Sequence, residues 1–294
     1  MPASRSIDHV VLAVRDLEDA AAIFEAMGFT LTPRAQHPWG TDNRLIQLAD
    51  QTFIEVLEVA RPELILEADH SCTPAQFSFG AHTRAFLKNR GAGVSMLALK
   101  GWDASHDTAE FANHGLGDYA PFPFGRIARQ PDGSEKEVAF ELAFAHPAAL
   151  PDLVFFTCHN KFPENFWKPD FQIHGNGVTG LMGLTLGSDA PNELTPFLDL
   201  LAGDKAKPRE PGGRWQFGPL NGRWQFGHQW LDLVEHETDT QFTAITFEVK
   251  NIGLLERLIA GTVSETQHGP MEDGYWVCHP AFGDVILRFI EHRN

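Results

Sequence analysis

A strand followed by a capped helix occurs four times along this chain, and a repeat of that kind restricts the fold more than any single motif does. In "IDHVVLAVRDLEDAAAIFEAMGF", Ile7, His9, Val11 and Ala13 alternate with Asp8, Val10, Leu12 and Val14, which predicts a short two-faced strand. Asp16 is placed to cap a helix and Asp19 favours its positive end. Ala20, Ile23, Phe24 and Met27 fall at helical spacing, and Gly28 supplies a left-handed stop. "GVSMLALKGWDASHDTAEFANHG" repeats the pattern between the cap Asp103 and Gly115. "LMGLTLGSDAPNELTPFLDLLAG" does so between Pro191 and Gly203, and "FTAITFEVKNIGLLERLIAG" ends at Gly261.

Each unit closes with another strand: "TFIEVLEV", "DLVFFTCHN", "QWLDLVEH" and "DVILRFIEH". With "RLIQLAD" between helix and closing strand, the unit reads as strand, helix and about three strands. One such unit has an apolar sheet face that it cannot bury alone, so the units are expected to pair, first with second and third with fourth. The expected fold class is α+β, with four βαβββ modules paired into two cupped mixed-sheet domains over residues 1–160 and 178–294. Residues 161–177, "KFPENFWKPDFQIHGNG", carry two prolines and two glycines without clean periodicity and read as the linker. Their aromatic residues suggest a segment packed against the domains. The duplicated "GRWQFG", at 213–218 and 222–227, predicts a hairpin in the third unit, with Trp215 and Phe217 on one strand, Trp224 and Phe226 on the other, and a turn at 219–221.

A net charge of -16, with no basic stripe, argues against nucleic acid as a partner and favours a small molecule. No apolar run approaches the roughly 20 residues that cross a bilayer. The opening "MPASRSIDHV" lacks a basic segment followed by an apolar one, so no secretion signal and no membrane partner are expected. Cys72, Cys158 and Cys278 are odd in number and widely spaced, which fits a reducing cytoplasm better than a disulfide framework or structural zinc. Paired units can complete a cup within one chain, so a monomer or a homodimer is expected.

A strand-helix-three-strand unit that opens with "DHVVLAVRDLEDA" and closes with "FIEVLEV" resembles the vicinal oxygen chelate superfamily, which includes glyoxalase I, bleomycin-resistance proteins and type I extradiol dioxygenases. "HPWGTDNRLIQL" and "FQIHGNG" resemble its glyoxalase-like domain group. The resemblance implies a cup formed by paired modules, with a divalent metal (Zn, Ni, Fe, Mn or Mg) held from first and last strands. It places the first-strand ligand on His9 and the last-strand ligand on Glu55. In the second unit the corresponding first-strand position falls on Val94 or Ser95. The last-strand position falls on Thr157, with His159 on the same face as a third ligand. In the C-terminal half Glu291 fits a carboxylate, while Leu181 and Ala244 stand where histidines would be. That ligand set is not the two-histidine, one-carboxylate iron site of extradiol enzymes.

His9 on an apolar strand and Glu55 on the last strand also read as structural or edge positions. His37 in "HPWGTDN" is either a loop residue over the cup that serves as acid or base, or a histidine bonded to backbone. Asn43 and Arg44 are candidates for orienting a substrate, as is His174 in "IHGNG", which equally fits a tight turn. The expected function is a metal-dependent lyase or isomerase acting on a small oxygenated metabolite through Lewis-acid stabilisation of an enolate or enediolate, with Glu55 and His37 moving the proton. The alternatives are a protein that binds small molecules without metal, and an extradiol-type ring-cleaving dioxygenase.

Overall fold

The computed structural model describes residues 5–67, 71, 73–129, 133–147, 150–203, 205, 207, 220–260 and 265–291. The first unit is β1 (Ile7–Ala13), α1 (Leu17–Ala26), β2 (Ala35–Gln36), β3 (Thr41–Gln47) and β4 (Phe53–Val59). A helix that the apolar periodicity did not predict, α2 (Phe79–Asn89), precedes the second unit. That unit runs β5 (Gly93–Lys100), α3 (Ala104–Asn113), β6 (Phe122–Arg129), β7 (Glu135–Ala145) and β8 (Val154–Asn160). After a short α4 (Pro163–Phe166) the third unit gives β9 (Val178–Ser188), α5 (Pro191–Ala202), β10 (Leu220–Phe226) and β11 (Gln229–Glu235). The fourth gives β12 (Gln241–Val249), α6 (Ile252–Ile259), β13 (Gln267–Met271), β14 (Gly274–Cys278) and β15 (Ile286–Glu291).

The capping residues do what their chemistry dictates. Asp16 accepts from the backbone N–H groups of Glu18 and Asp19, Asp103 from His106, and Asn251 from Leu254. Gly203 ends α5 in the left-handed region. Gly28 has a φ of +85°, and a Cβ there would meet the Asn176 backbone nitrogen at 2.9 Å, so this stop also admits the close approach of the linker.

Two mixed sheets result. The first has strand order β2-β3-β4-β1-β5-β8-β7-β6 and the second β10-β11-β9-β12-β15-β14-β13. In each, the first strands of two units pair antiparallel, and each takes the last strand of its own unit as a parallel neighbour. The fold is thus the α+β arrangement of paired modules. The hairpin in the third unit differs from expectation. Leu220 and Asn221 belong to β10, and the turn falls at Gly227 and His228 before β11. Trp215, Phe217, Cys72 and Gly261 lie outside the described residues.

One face of the first sheet, bearing Leu12, Ile54 and Phe155, shares a core with α1 and with the second sheet. Phe24 of α1 stacks on Phe282 with centroids 4.4 Å apart, and Phe155 meets Phe197 at 4.9 Å. The opposite face carries a separate cluster that includes Val11, Leu57, Phe79, Met96, Phe144 and Phe156. That concave face is the cup. The linker is strapped to the first sheet. Gln47 donates to the Phe166 carbonyl at 3.0 Å and accepts from the Lys168 N–H at 3.0 Å, while Gln172 donates to the Leu48 carbonyl at 2.8 Å. Among the described residues no helix is long and apolar enough to cross a membrane.

Two stability predictions follow from this packing. Phe24→Ala removes a fully buried ring that bridges the halves and is expected to cost about 3–5 kcal/mol in urea unfolding; a loss under about 1 kcal/mol would show that the halves do not depend on this contact. Burial, and then the nearby His146, lower the His82 pKa to about 4, so between pH 6.5 and 4 the unfolded chain binds a proton that the folded chain does not. Stability therefore falls as pH drops through that window, by about 2 kcal/mol between pH 7 and pH 5. His82→Leu should remove that part of the slope, and an unchanged slope would refute the assignment.

Candidate functional site

The site grows from an irregularity in β1. Ile7 pairs with Leu99 and His9 with Ala98, so Asp8 is an extra residue, a β-bulge, on the β1 side of the ladder. In a regular strand Asp8 and His9 would face opposite ways. Here both are buried on the cup side, and the Asp8 Oδ2 lies 2.7 Å from the His9 Nδ1. Asp8 is thus a partner that strict alternation conceals. Because a carboxylate accepts, Nδ1 carries a proton, and the Nε2 edge is turned to the cup. The ring is held by stacking on Phe53, its register partner, at 4.2 Å and by the edge of Phe156 at 5.3 Å.

That Nε2 faces Glu55 of β4, whose Oε2 is 4.0 Å away. On the other side of the same carboxylate, His37 places its Nε2 3.9 Å from Oε1. Asn43 of β3 fixes the group between them, donating from Nδ2 to Oε1 at 2.7 Å and facing the His37 Nε2 at 3.4 Å. Since Asn43 is the donor to both, the His37 Nε2 is an acceptor, and its Nδ1 donates to Thr41 Oγ1 at 2.9 Å. Burial lowers the His37 pKa, so its imidazole is neutral near pH 7. His9, Glu55, His37 and Asn43, identified separately in the sequence, thus converge on one carboxylate.

His159 does not join them. Cys158, not His159, lines the cup, and Thr157 faces the other way, donating to Asp107 of α3 at 2.7 Å. His159 shares the Thr157 side, in register with Glu141, so it does not reach the cup as a third ligand, and Cys158 stands on the cup side in its place. Burial, and then the adjacent Asp8 carboxylate, raise the Cys158 pKa well above that of an ordinary thiol. The thiol is therefore protonated and donates to Asp8. Asp8, His9 and Cys158 bring donor atoms within 4.8 Å of one another and form a group that can hold a metal ion.

The second unit contributes no counterpart to His9 or Glu55. His9 lies seven residues before the cap Asp16, and seven before the cap Asp103 is Met96, not Val94 or Ser95. Ser95 sits at a register shift between β1 and β5 and donates to the Val11 carbonyl at 3.5 Å. Val11 pairs with Glu55, and its equivalent Ala98 pairs with Phe156. Apolar side chains occupy both positions.

Two further candidates lie elsewhere. Arg44 is turned outward to Glu18 and Glu25, at 3.3 and 2.6 Å, and donates to the Thr32 carbonyl. His174 is a structural clamp. It accepts from the Thr30 N–H at Nδ1, 3.0 Å, and so donates from Nε2 to the Gln47 carbonyl, 2.9 Å. In the C-terminal half Glu291 caps α6, accepting from the Ile252 N–H at 2.8 Å. The positions that match Glu55 by strand pairing are Asp232, beside Thr185, and Arg288, beside Thr246. Leu181 belongs to the shared core and not to a ligand row.

The cavity over the first sheet measures about 90 Å³, and aromatic rings form much of its wall, with Trp39, Phe53, Phe79, Phe124, Phe140 and Phe166 around the polar line. Trp39 stacks on His37 at 4.7 Å. Arg126 of the edge strand β6 stands at the mouth. No motif marked it. Only the alternation of Phe122, Phe124 and Arg126 in an otherwise weak stretch could have placed it on the cup side.

An imidazole with a carboxylate on either side, inside an aromatic cup, leaves buried negative charge that a cation would relieve. The 4.0 Å from His9 Nε2 to Glu55 Oε2 is too long for a hydrogen bond but falls within the span of two ligand bonds of about 2.0–2.2 Å each. The donor set therefore fits a divalent ion.

Residues 7–202 match the model of the glyoxalase-like domain family. The chain resembles a hypothetical protein from Staphylococcus aureus at 10% identity and a TM-score of 0.64, over 98% of this chain and 99% of that one. It also resembles a mutant of 4-hydroxymandelate synthase from Streptomyces coelicolor, at 12% identity and a TM-score of 0.54 over 99% and 93% of the two chains. A Mn(II)-bound glyoxalase from Novosphingobium aromaticivorans gives 13% identity and a TM-score of 0.52 over 97% and 81%. No curated protein matches in sequence. At these identities the structures speak for the fold alone, and the family match carries the membership: the chain belongs to the glyoxalase-like domain family of the vicinal oxygen chelate superfamily.

Proposed function

We propose that the first cup is the active site of a lyase or isomerase that moves a proton on a small oxygenated metabolite, in the cytoplasm, with a divalent ion held by His9 and Glu55. The observation that supports it is the line His9–Glu55–His37, a carboxylate flanked at 4.0 and 3.9 Å by two imidazole nitrogens in an aromatic cup. When bound, the ion supplies Lewis acidity toward a carbonyl oxygen of the substrate. Asp8 orients the His9 ring and fixes its tautomer, as carboxylates do behind metal-bound histidines.

The neutral His37 is suited to take the proton. Its Nε2 carries the lone pair, its Nδ1–H is anchored on Thr41, and Trp39 stacked on the ring keeps water from it. As the imidazole takes a proton from the carbon next to the carbonyl, the Glu55 Oε1 stabilises the imidazolium. Return of that proton to a neighbouring atom gives an isomerisation. Its return to a leaving group gives an elimination.

A second reading, binding without metal, draws support from Met96 and Phe156, which halve the ligand set expected of paired modules. Metal analysis of untagged protein separates the two. Bound divalent metal and a metal-dependent rise in melting temperature are expected, and the absence of both would leave the binding reading. Oxygen uptake on catechols by iron-loaded protein would instead favour ring cleavage.

His9→Ala or Glu55→Ala should abolish metal binding, and Asp8→Asn should weaken it about 10- to 100-fold, as read by competition with a chelating dye. Cys158→Ala should leave it within about two-fold. If Cys158→Ala abolishes binding and Glu55→Ala does not, the ion belongs to the Asp8, His9 and Cys158 group instead. His37→Gln should lower deuterium wash-in from D2O at the acidic carbon of α-hydroxy ketones about 10²–10⁴-fold without changing metal content. Unchanged wash-in would remove His37 from the proton path.

A further inference from the structure

Arg126 differs from most of the arginines around it. Arg34 pairs with Asp42 and Glu58, Arg61 with Asp42, Arg90 with Asp152 and Arg223 with Asp232. In a chain with 39 acidic and 23 basic residues such pairing is the default. No carboxylate pairs with Arg126 among the described residues, although its side chain lines the cup. Alternation along β6 puts it on the side of Phe124, whose ring lies 5.7 Å from His37 and 4.8 Å from Trp39. Its charge reaches the catalytic line, since it contributes to lowering the His37 pKa, and burial lowers its own.

A guanidinium partly withdrawn from water, with no internal counter-ion, favours an external anion, and its fork matches a carboxylate in two parallel hydrogen bonds. The rest of the wall sets the shape of the ligand. Rings on several sides bury flat apolar surface well and offer few polar partners. The cup therefore has an order: the exposed Arg126 at the mouth, then the buried His37, the half-buried Glu55 and the buried His9 in line.

We propose that Arg126 anchors the carboxylate of a flat, mostly apolar acid, so that the substrate class of this cup is an aromatic or similarly planar monocarboxylate. This rests on the reading of the cup as a ligand site and refines what it takes. The anion lies at the mouth, and the group that reacts lies one ring or a few atoms deeper, between His37 and Glu55. Arg126 acts here as a binding and orienting residue.

Calorimetric titration of the intact protein with benzoate and phenylacetate, beside the neutral benzamide and phenylacetamide, tests this at constant ionic strength. The wild type should bind each acid at least about ten-fold more tightly than its amide, since a charge-assisted bidentate pair is lost in the amide. Arg126→Gln should weaken the acids about ten-fold or more and leave the amides unchanged, with Arg126→Lys in between. Equal affinity for acid and amide in the wild type, no binding of the acids at millimolar concentration, or an equal loss for both in Arg126→Gln would overturn the proposal. The two readings fail separately. Tight acid binding without proton exchange in D2O overturns the lyase or isomerase reading alone, and exchange on neutral ketones with no preference for acids overturns the role of Arg126 alone.

Discussion

The antiparallel pairing of β1 with β5, broken by one extra residue at Asp8, is the constraint from which the site follows. The pairing joins two units into one sheet and makes β4 and β8 their parallel neighbours, which sets the rows that line the cup. The bulge then decides which side chains enter it. In a regular strand Asp8 would face the core shared with the second sheet, among Leu12, Ile54 and Phe155, where a carboxylate without partners costs several kcal/mol. Turned to the cup, it finds two donors, the His9 ring and the Cys158 thiol. The bulge thus removes a penalty and creates an oriented imidazole in the same step.

Charge sets the character of this cup. Asp8 and Glu55 are both buried or nearly so, and the groups that touch them in the cup are an amide, a thiol and imidazoles, none of which carries a fixed positive charge. Elsewhere the protein meets its acids with arginine, as at Asp42, which holds both Arg34 and Arg61. Compensation in the cup is left to something that comes from outside or to a proton. The unpaired Arg126 at the mouth is the complement of this arrangement, a cation placed where it can attract an anionic ligand without neutralising Glu55.

The architecture was legible because it rests on periodicity. Three helices begin where Asp16, Asp103 and Pro191 place them, a fourth falls within the repeat that ends at Gly261, and the closing strands fall on the apolar runs that the sequence shows. His9, Glu55, His37 and Asn43 were legible for different reasons: the family resemblance places His9 and Glu55, polar side chains on apolar strand faces, while His37 stands out as a histidine in a turn-rich loop and Asn43 as an amide able to orient a substrate. What failed was the assignment of faces by counting. Asp8 joins His9 because a bulge shifts alternation by one, while in the regular strand β8 the Thr157 face turns to α3, which takes His159 away from the cup and admits Cys158. Arg126 and α2 were hidden for want of a pattern: β6 is an edge strand with few buried positions, and α2 carries only a narrow apolar face of Phe79, Thr83 and Phe86. Arg44 and His174 illustrate the converse, polar residues in suggestive surroundings whose hydrogen bonds are fully spent on holding the fold.

The second sheet supports the proposal that the chemistry lies in the first. Its modules are assembled by the same rule, so the positions equivalent to Glu55 can be named: Asp232 and Arg288. Asp232 is gripped by the Arg223 fork at 2.5 and 2.6 Å, and the guanidinium lies over the Trp230 ring at 4.3 Å. Arg288 is only 2% exposed and places a fixed cation 3.6 Å from Asp273, where the first sheet places a carboxylate. A carboxylate neutralised by its own chain has little left to offer an ion, and a buried guanidinium repels one. Seven residues before the caps Ala190 and Asn251 stand Gly183 and Ala244, so no imidazole accompanies them. The two cups share a construction and differ in who supplies the balancing charge: in the second the chain does so itself, whereas in the first the charge remains available to a ligand, and that availability is why we propose Glu55 and its two histidines as the site.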